Sequence, residues 1–174
     1  VDNASSRQLG TLIGPFAVLS TATRGVPQGY WATTNRESDR VEAIRARYIR
    51  WTPFETRPSL NSSDYANSGY QLGEFKLMLG TNFLTLANVT ASIPGIAFNG
   101  MPPSMAFDNI VAMDNRFYSI STYSPLTADF GSNVVFNGYA YYTGQNGAGR
   151  DPIAWKFEIS SNGTEWILAD LKTN

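Results

Sequence analysis

The fold is decided by the stretch Arg150-Asp151-Pro152-Ile153-Ala154-Trp155-Lys156-Phe157-Glu158-Ile159-Ser160-Ser161-Asn162-Gly163-Thr164-Glu165-Trp166. Trp155, Phe157 and Ile159 alternate with Ala154, Lys156 and Glu158. A period of two, with aromatic and β-branched side chains on one face, marks a half-buried strand. Asn162-Gly163 supplies positive φ for a tight hairpin turn. Glu165-Trp166-Ile167-Leu168 starts the return strand, and the polar residues Ala169 to Asn174 are expected to fray.

The same pattern recurs upstream. Val134 to Thr143 reads as a long strand with Gly138 as a bulge. Leu126 to Gly131 reads as a short strand ending at a glycine turn. In Gln71 to Leu79, the residues Phe75, Leu77 and Leu79 share one face while Glu74 and Lys76 lie on the other. Gly80-Thr81-Asn82 turns the chain into a further strand over Leu84 to Ser92. Glu42 to Arg47 passes briefly for helix, but Arg47 to Thr52 is better as a strand, with Pro53 just beyond. Residues 58–70 and 93–105, rich in Ser, Asn, Gly and Pro, read as surface loops. About eight short, evenly spaced strands with little helix predict an all-β fold, an antiparallel jelly-roll β-sandwich.

Residues 1–41 stand apart. Thr11-Leu12-Ile13 and Phe16-Ala17-Val18-Leu19 flank Gly14-Pro15, and a polar run from Ser20 to Arg40 follows. This reads as an extended N-terminal arm packed along the domain or onto a partner, ahead of a sandwich at 42–174. An ordinary first strand plus loop is the alternative.

Composition narrows the chemistry. With 43% hydrophobic and 16% charged residues, the 174-residue chain suits a folded domain with a real core. A net charge of −1 supplies no basic field for nucleic acid or an anionic membrane. No apolar run is long enough to span a bilayer as a helix. Cysteine is absent, so no disulfide contributes. Histidine is absent too, which excludes Ser-His-Asp and Cys-His catalysis within these residues and removes the usual zinc ligand.

Five segments together resemble the coagulation factor 5/8 type C (discoidin) family, within the galactose-binding-domain-like jelly rolls. They are Ala46-Arg47-Tyr48-Ile49-Arg50-Trp51, Leu72-Gly73-Glu74-Phe75-Lys76-Leu77, Ala106-Phe107-Asp108-Asn109, Ala128-Asp129-Phe130-Gly131 and Trp155 to Trp166. The last resembles the family's serine-asparagine-glycine-x-x-tryptophan hairpin and is the most specific. The first two segments close the domain in the family's usual order and open it here, so the chain looks circularly permuted. The resemblance implies recognition or assembly, as in carbohydrate-binding modules, adhesive domains and parts of viral and phage particles.

The candidate residues each have a bland counterpart. Asp108 matches a family aspartate sometimes found near calcium, and oxygen donors suit that ion; an Asx turn is the alternative. Arg150, beside Gln145 and Asn146, offers a fork of donors to a sugar hydroxyl or carboxylate; an ion pair of Arg150 or Asp151 pinning the loop is the alternative. Tyr30, Trp31, Tyr65, Tyr70, Tyr118 and Tyr123 lie in expected loops, where aromatic rings stack on sugars or anchor interfaces. Arg47, Arg50 and Glu74 suggest a cross-strand ion pair. Four Asn-x-Ser/Thr sites, at Asn3, Asn61, Asn88 and Asn162, are within chance for this composition. Asp108 with Asp114 as a glycosidase dyad lacks any visible pKa tuning.

The expectation is a non-enzymatic structural or adhesive module, exposed on a virion as a phage or virus capsid or tail accessory. Its ligand contacts would fall on Tyr123, Asn146, Arg150 and Asp151. Its arm would hold other virion or surface proteins in an oligomeric assembly, with glycan as a further partner. Calcium at Asp108 is the one cofactor considered. The alternative is a carbohydrate-binding module of a secreted multidomain bacterial enzyme, which places the chain outside the cell or at its surface.

Overall fold

The computed structural model describes residues 10–12, 43–57, 69–112, 114–121, 123–144 and 148–173. Among these, the β-branched and aromatic runs become β1 (Gly10–Leu12), β2 (Ile44–Thr56), β3 (Tyr70–Leu72), β4 (Glu74–Leu79), β5 (Asn82–Phe83) and β6 (Thr90–Ser92). β7 (Phe117–Ser119), β8 (Leu126–Phe136), β9 (Gly138–Tyr142), β10 (Pro152–Ser160) and β11 (Ile167–Lys172) follow. Among the described residues, helix is confined to single 3₁₀ turns at Pro103–Ala106 and Ala148–Arg150. All pairings are antiparallel, in a five-stranded sheet β11-β10-β2-β8-β6, a four-stranded sheet β1-β9-β4-β5 and a ribbon β3-β7.

The early Arg-Tyr-Ile-Arg strand lies between two late ones: Ile49 is opposite Ala128 on β8 and Ile159 on β10. The inward faces of the two large sheets meet through aromatic rings. Trp51 of β2 meets Phe75 and Tyr141 at 6.2 and 5.3 Å, and Phe157 of β10 stacks on Tyr139 at 4.3 Å. Such ring pairs contribute about 0.5–1.5 kcal/mol each beyond area burial. On the other side of the five-stranded sheet, Arg50 makes a two-pronged bond to Glu158, both prongs 2.8 Å, and Arg50 also lies over the Trp166 ring at 4.2 Å. Arg47 forks onto Asp129 at 2.8 and 2.9 Å.

Local details differ from the sequence reading for identifiable reasons. Asn162-Gly163 sits in a loop over 161–166 and not in a two-residue turn. Asn162 Oδ1 accepts the Thr164 and Glu165 N–H groups, while Ser160 Oγ accepts those of Asn162 and Gly163. Side-chain acceptors therefore replace the cross-strand bonds of a tight hairpin. β8 does not stop at Gly131. Residues 130–133 bulge opposite Arg47, with Gly131 at φ +73° donating to Asp129 Oδ1, and pairing resumes at Val134. The chain changes sheets at Asn137, whose N–H donates to the Met78 carbonyl and whose side chain accepts the Gly80 N–H. The segment from Leu84 to Val89 is not a strand; pairing there is limited to β5 and β6. The last strand does not fray, because Asp170 accepts the Tyr139 hydroxyl at 2.6 Å and Lys172 pairs opposite Trp155. Glu74 pairs with neither Arg47 nor Arg50, since β4 and β2 belong to different sheets. Within residues 1–41, β1 lies along β9 with Gly10 opposite Ala140; the rest of the expected arm lies outside the described residues.

Candidate functional site

The ribbon positions the most distinctive surface. Gln71 is opposite Tyr118, and Tyr70 is opposite Ser119. A bridge between Ala97 and Ser119 adds the segment 96–98 to its edge. The Phe98 N–H donates to the Tyr118 carbonyl and the Ile120 N–H to the Ile96 carbonyl. Side chains alternate, so Tyr70, Leu72 and Phe117 enter the core, while Ile96, Phe98, Tyr118 and Ile120 share the outer face. Gly69 makes the docking possible: its φ is +100°, and a Cβ there would stand 1.8 Å from the Ser119 carbonyl oxygen.

Half of this outer face is roofed and half is open. Gly144 lies against Gln71, where a Cβ would come within 2.4 Å of the amide carbon. The Arg150 guanidinium sits over the Tyr118 ring at 4.2 Å. Tyr118 is thereby buried, and the Phe98 ring lies 5.4 Å from it at 30°. Past that point the face is open: Ile96, Phe98 and Ile120 are 65%, 48% and 43% exposed. Tyr123, also exposed and at φ +63°, rides on a neighbouring turn. That turn is pinned because Ser121 and Ser124 hydroxyls accept the Ile96 and Gly95 N–H groups, and Tyr70 donates to the Ser124 carbonyl.

A second guanidinium lies close by. Arg116 precedes β7 on the side of Tyr118 and is only 6% exposed. Burial depresses its pKa, the Asp114 carboxylate at 3.8 Å opposes that, and the Arg150 charge adds to it. The result is an apolar ledge beside the Arg150–Tyr118 contact, with the buried Arg116 within reach of the Arg150 charge.

The expected site residues are only partly brought together. Arg150 and Tyr118 meet directly, and Tyr123 stands on the turn fastened to Gly95 and Ile96. Asp151 is buried elsewhere: its carbonyl accepts the Arg57 N–H at 2.8 Å, and its carboxylate lies 3.9 Å from the Arg57 guanidinium, tying the end of β2 to the start of β10. Asn146, Gln145, Tyr30, Trp31 and Tyr65 lie outside the described residues. Tyr70 and Tyr118 are strand residues and buried, not loop aromatics. Asp108 Oδ1 accepts the Ile110 N–H and Oδ2 the Asn115 amide, each at 2.9 Å, so the loop itself occupies the carboxylate. Among the described residues no group of three or more acidic, His or Cys side chains is placed to hold a metal ion.

Glu74, expected from the sequence to join a cross-strand ion pair, is instead a buried group of a different kind. Glu74, 1% exposed, has its carboxyl pushed up to about 7 by burial, opposed by Lys76 and by N–H groups of Phe75 and Asn109. Lys76 bonds the Asn109 side chain, and Tyr142 opposite Glu74 is pushed up to about 12 by burial and by the Glu74 charge.

Ile96, Phe98, Arg116 and Ile120 are missed from the sequence. The signal was Ile96-Ala97-Phe98 set against Tyr118-Ser119-Ile120, two period-two triplets inside segments dominated by Pro, Gly and Ser. No family model matches the chain, and no curated protein or solved structure matches it.

Proposed function

We propose that the chain is a non-enzymatic recognition module, a jelly-roll β-sandwich of the galactose-binding-like kind in permuted order. Its contact surface is the ledge of Ile96, Phe98 and Ile120 with Tyr123 and Arg150 at its margins. The observation that carries this reading is the ledge itself: apolar and aromatic side chains held outward on a hydrogen-bonded ribbon, next to a guanidinium over a ring. Exposed apolar groups clustered on a rigid support suit binding. The permuted order is supported by β2 lying between β8 and β10.

The setting we favour is the outside of a phage or virus particle. There residues 1–41 would clasp neighbouring subunits, and many copies would turn a weak contact into avid attachment. The carbohydrate-binding module of a secreted multidomain enzyme is the second reading, favoured by the exposed Phe98 ring as a platform for a sugar face. Glycan-array and particle-binding assays on the protein and on a Phe98→Ala/Ile120→Ser variant test the proposal. Binding lost in the variant at unchanged melting temperature supports the ledge; binding indifferent to both changes removes it. Saturable sugar binding without particle association selects the second reading.

A further inference from the structure

Three Asn-Gly pairs lie among the described residues, and the fold treats them differently. An asparagine followed by glycine can lose its side-chain amide with no enzyme, because the glycine nitrogen is free to attack the side-chain carbonyl carbon. Glycine favours the attack, having no Cβ to hinder it and the least restricted backbone. At Asn162 both reacting groups are occupied. Its Oδ1 accepts the Ser160 hydroxyl and the N–H groups of Thr164 and Glu165, its Nδ2 donates to Glu165, and the Gly163 N–H donates to Ser160 Oγ. Asn137 Oδ1 accepts the Gly80 N–H at 2.8 Å, and Gly138 is buried at the head of β9, opposite Met78 and Leu12. Asn99-Gly100 differs on each count. Both residues are exposed. Among the described residues, no hydrogen bond holds the Asn99 carboxamide or the Gly100 N–H. Gly100 is at φ +79°, with nothing within 4 Å of where a Cβ would stand. The pair forms the tip of a turn closed by the Met101 N–H on the Phe98 carbonyl at 2.9 Å.

We infer that Asn99 is a site of spontaneous modification, converting to aspartate and isoaspartate in the folded protein. The Gly100 nitrogen bonds to Asn99 Cγ, the Cγ–Nδ2 bond breaks, and Nδ2 leaves as ammonia with the proton from Gly100. Water then adds to one of the two carbonyls of the succinimide ring. Its hydroxyl stays on carbon and its proton returns to the Gly100 nitrogen. Opening at Cγ gives aspartate, and opening at the main-chain carbonyl gives isoaspartate, with one extra carbon in the backbone. Either product sets a negative charge beside Phe98. Isoaspartate also lengthens a turn whose ends are both fastened to Tyr118. There the Phe98 N–H donates to the Tyr118 carbonyl at 2.8 Å, and the Tyr118 N–H donates to the Met101 carbonyl at 3.3 Å. The change therefore reaches the ribbon that carries the ledge, whatever the ledge binds.

The test is peptide mapping by mass spectrometry during incubation at pH 8, on the folded protein and on a parallel sample in denaturing urea. Each conversion shows as a mass gain equal to water minus ammonia. In the folded protein the Asn99 peptide should react about tenfold or more faster than those of Asn137 and Asn162, whose hydrogen bonds must open first. In urea the three should converge to within about threefold, since those bonds are gone. Asn99→Gln should abolish the gain, its longer side chain closing the ring poorly. Hydrogen exchange at the Phe98 and Tyr118 amides should quicken in the aged parent and not in aged Asn99→Gln. An Asn99 that stays intact, or that reacts no faster than the two bonded pairs, overturns the inference. The same ranking persisting in urea overturns it too, since local sequence and not the fold would then set the rates. Unchanged exchange in fully converted protein overturns the reach to the ribbon.

Discussion

Glu74 and Glu158 are both buried carboxyls on strands, yet their surroundings drive them in opposite directions. Burial dominates at Glu74 and lifts it from its ordinary 4.5 to about 7. The folded chain then holds that proton more tightly than the unfolded one. The associated stability is complete below about pH 4.5 and is lost as pH rises through 7, a change of up to about 3 kcal/mol. At Glu158 the two-pronged bond from Arg50 dominates and holds the carboxyl below its ordinary value. That contribution is present at neutral pH and fades as the medium becomes acid enough to protonate it. Urea midpoints between pH 5 and 8.5 separate the two. Glu74→Gln should flatten the decline on the alkaline side and make the protein more stable at pH 8 than the parent. Glu158→Gln should weaken the protein at pH 7 by about 1–2 kcal/mol and leave the alkaline slope in place. A parent whose stability rises steadily from pH 5 to 8 would contradict the assignment of Glu74.

The ribbon of β3, β7 and residues 96–98 is the element on which the recognition surface depends, and Gly69 sets how closely it docks. A methyl group there meets a backbone carbonyl and also occupies a φ that L residues avoid. Gly69→Ala should therefore cost about 3 kcal/mol or more, read as a shift in the urea midpoint, and should loosen Phe98 and Ile120 together. A fully stable Gly69→Ala protein would mean the ribbon docks differently. Elements of this kind mark the limit of what the sequence discloses. The β10 pattern is plain because Trp155, Phe157 and Ile159 alternate with Lys156 and Glu158 in the sequence, with the buried Trp155 and Phe157 as landmarks. Arg47 to Trp51 is legible for the same reason. A three-residue strand such as Phe117–Ser119 is too short to show a period, and its partners at Tyr70 and Ala97 lie in segments dominated by turn formers. The meeting of Arg150 with Tyr118 is a tertiary event, so neither residue's neighbours in the chain announce it.

Across the whole molecule the distinctive fact is the place of β2, bracketed by strands from the far end of the chain. Its anchoring pairs span long stretches: Arg47 meets Asp129 across 82 residues and Arg50 meets Glu158 across 108. Closing loops of that size before any reward arrives slows folding, so refolding by stopped-flow fluorescence of the buried Trp51 and Trp155 should fall in the millisecond-to-second range typical of non-local β topologies, on the order of 1–100 s⁻¹. A microsecond phase carrying the full amplitude would argue against this arrangement. The register of β2 matters during synthesis as well. A ribosome releases its Tyr48, Trp51 and Phe54 well before either flanking strand has been translated. For that interval the nascent polypeptide displays a long, sticky ribbon with nothing to zip onto, which invites entanglement with other unfinished copies. Cooler growth or a generous supply of holding chaperones should raise soluble yield for this reason, by bridging the gap until translation catches up.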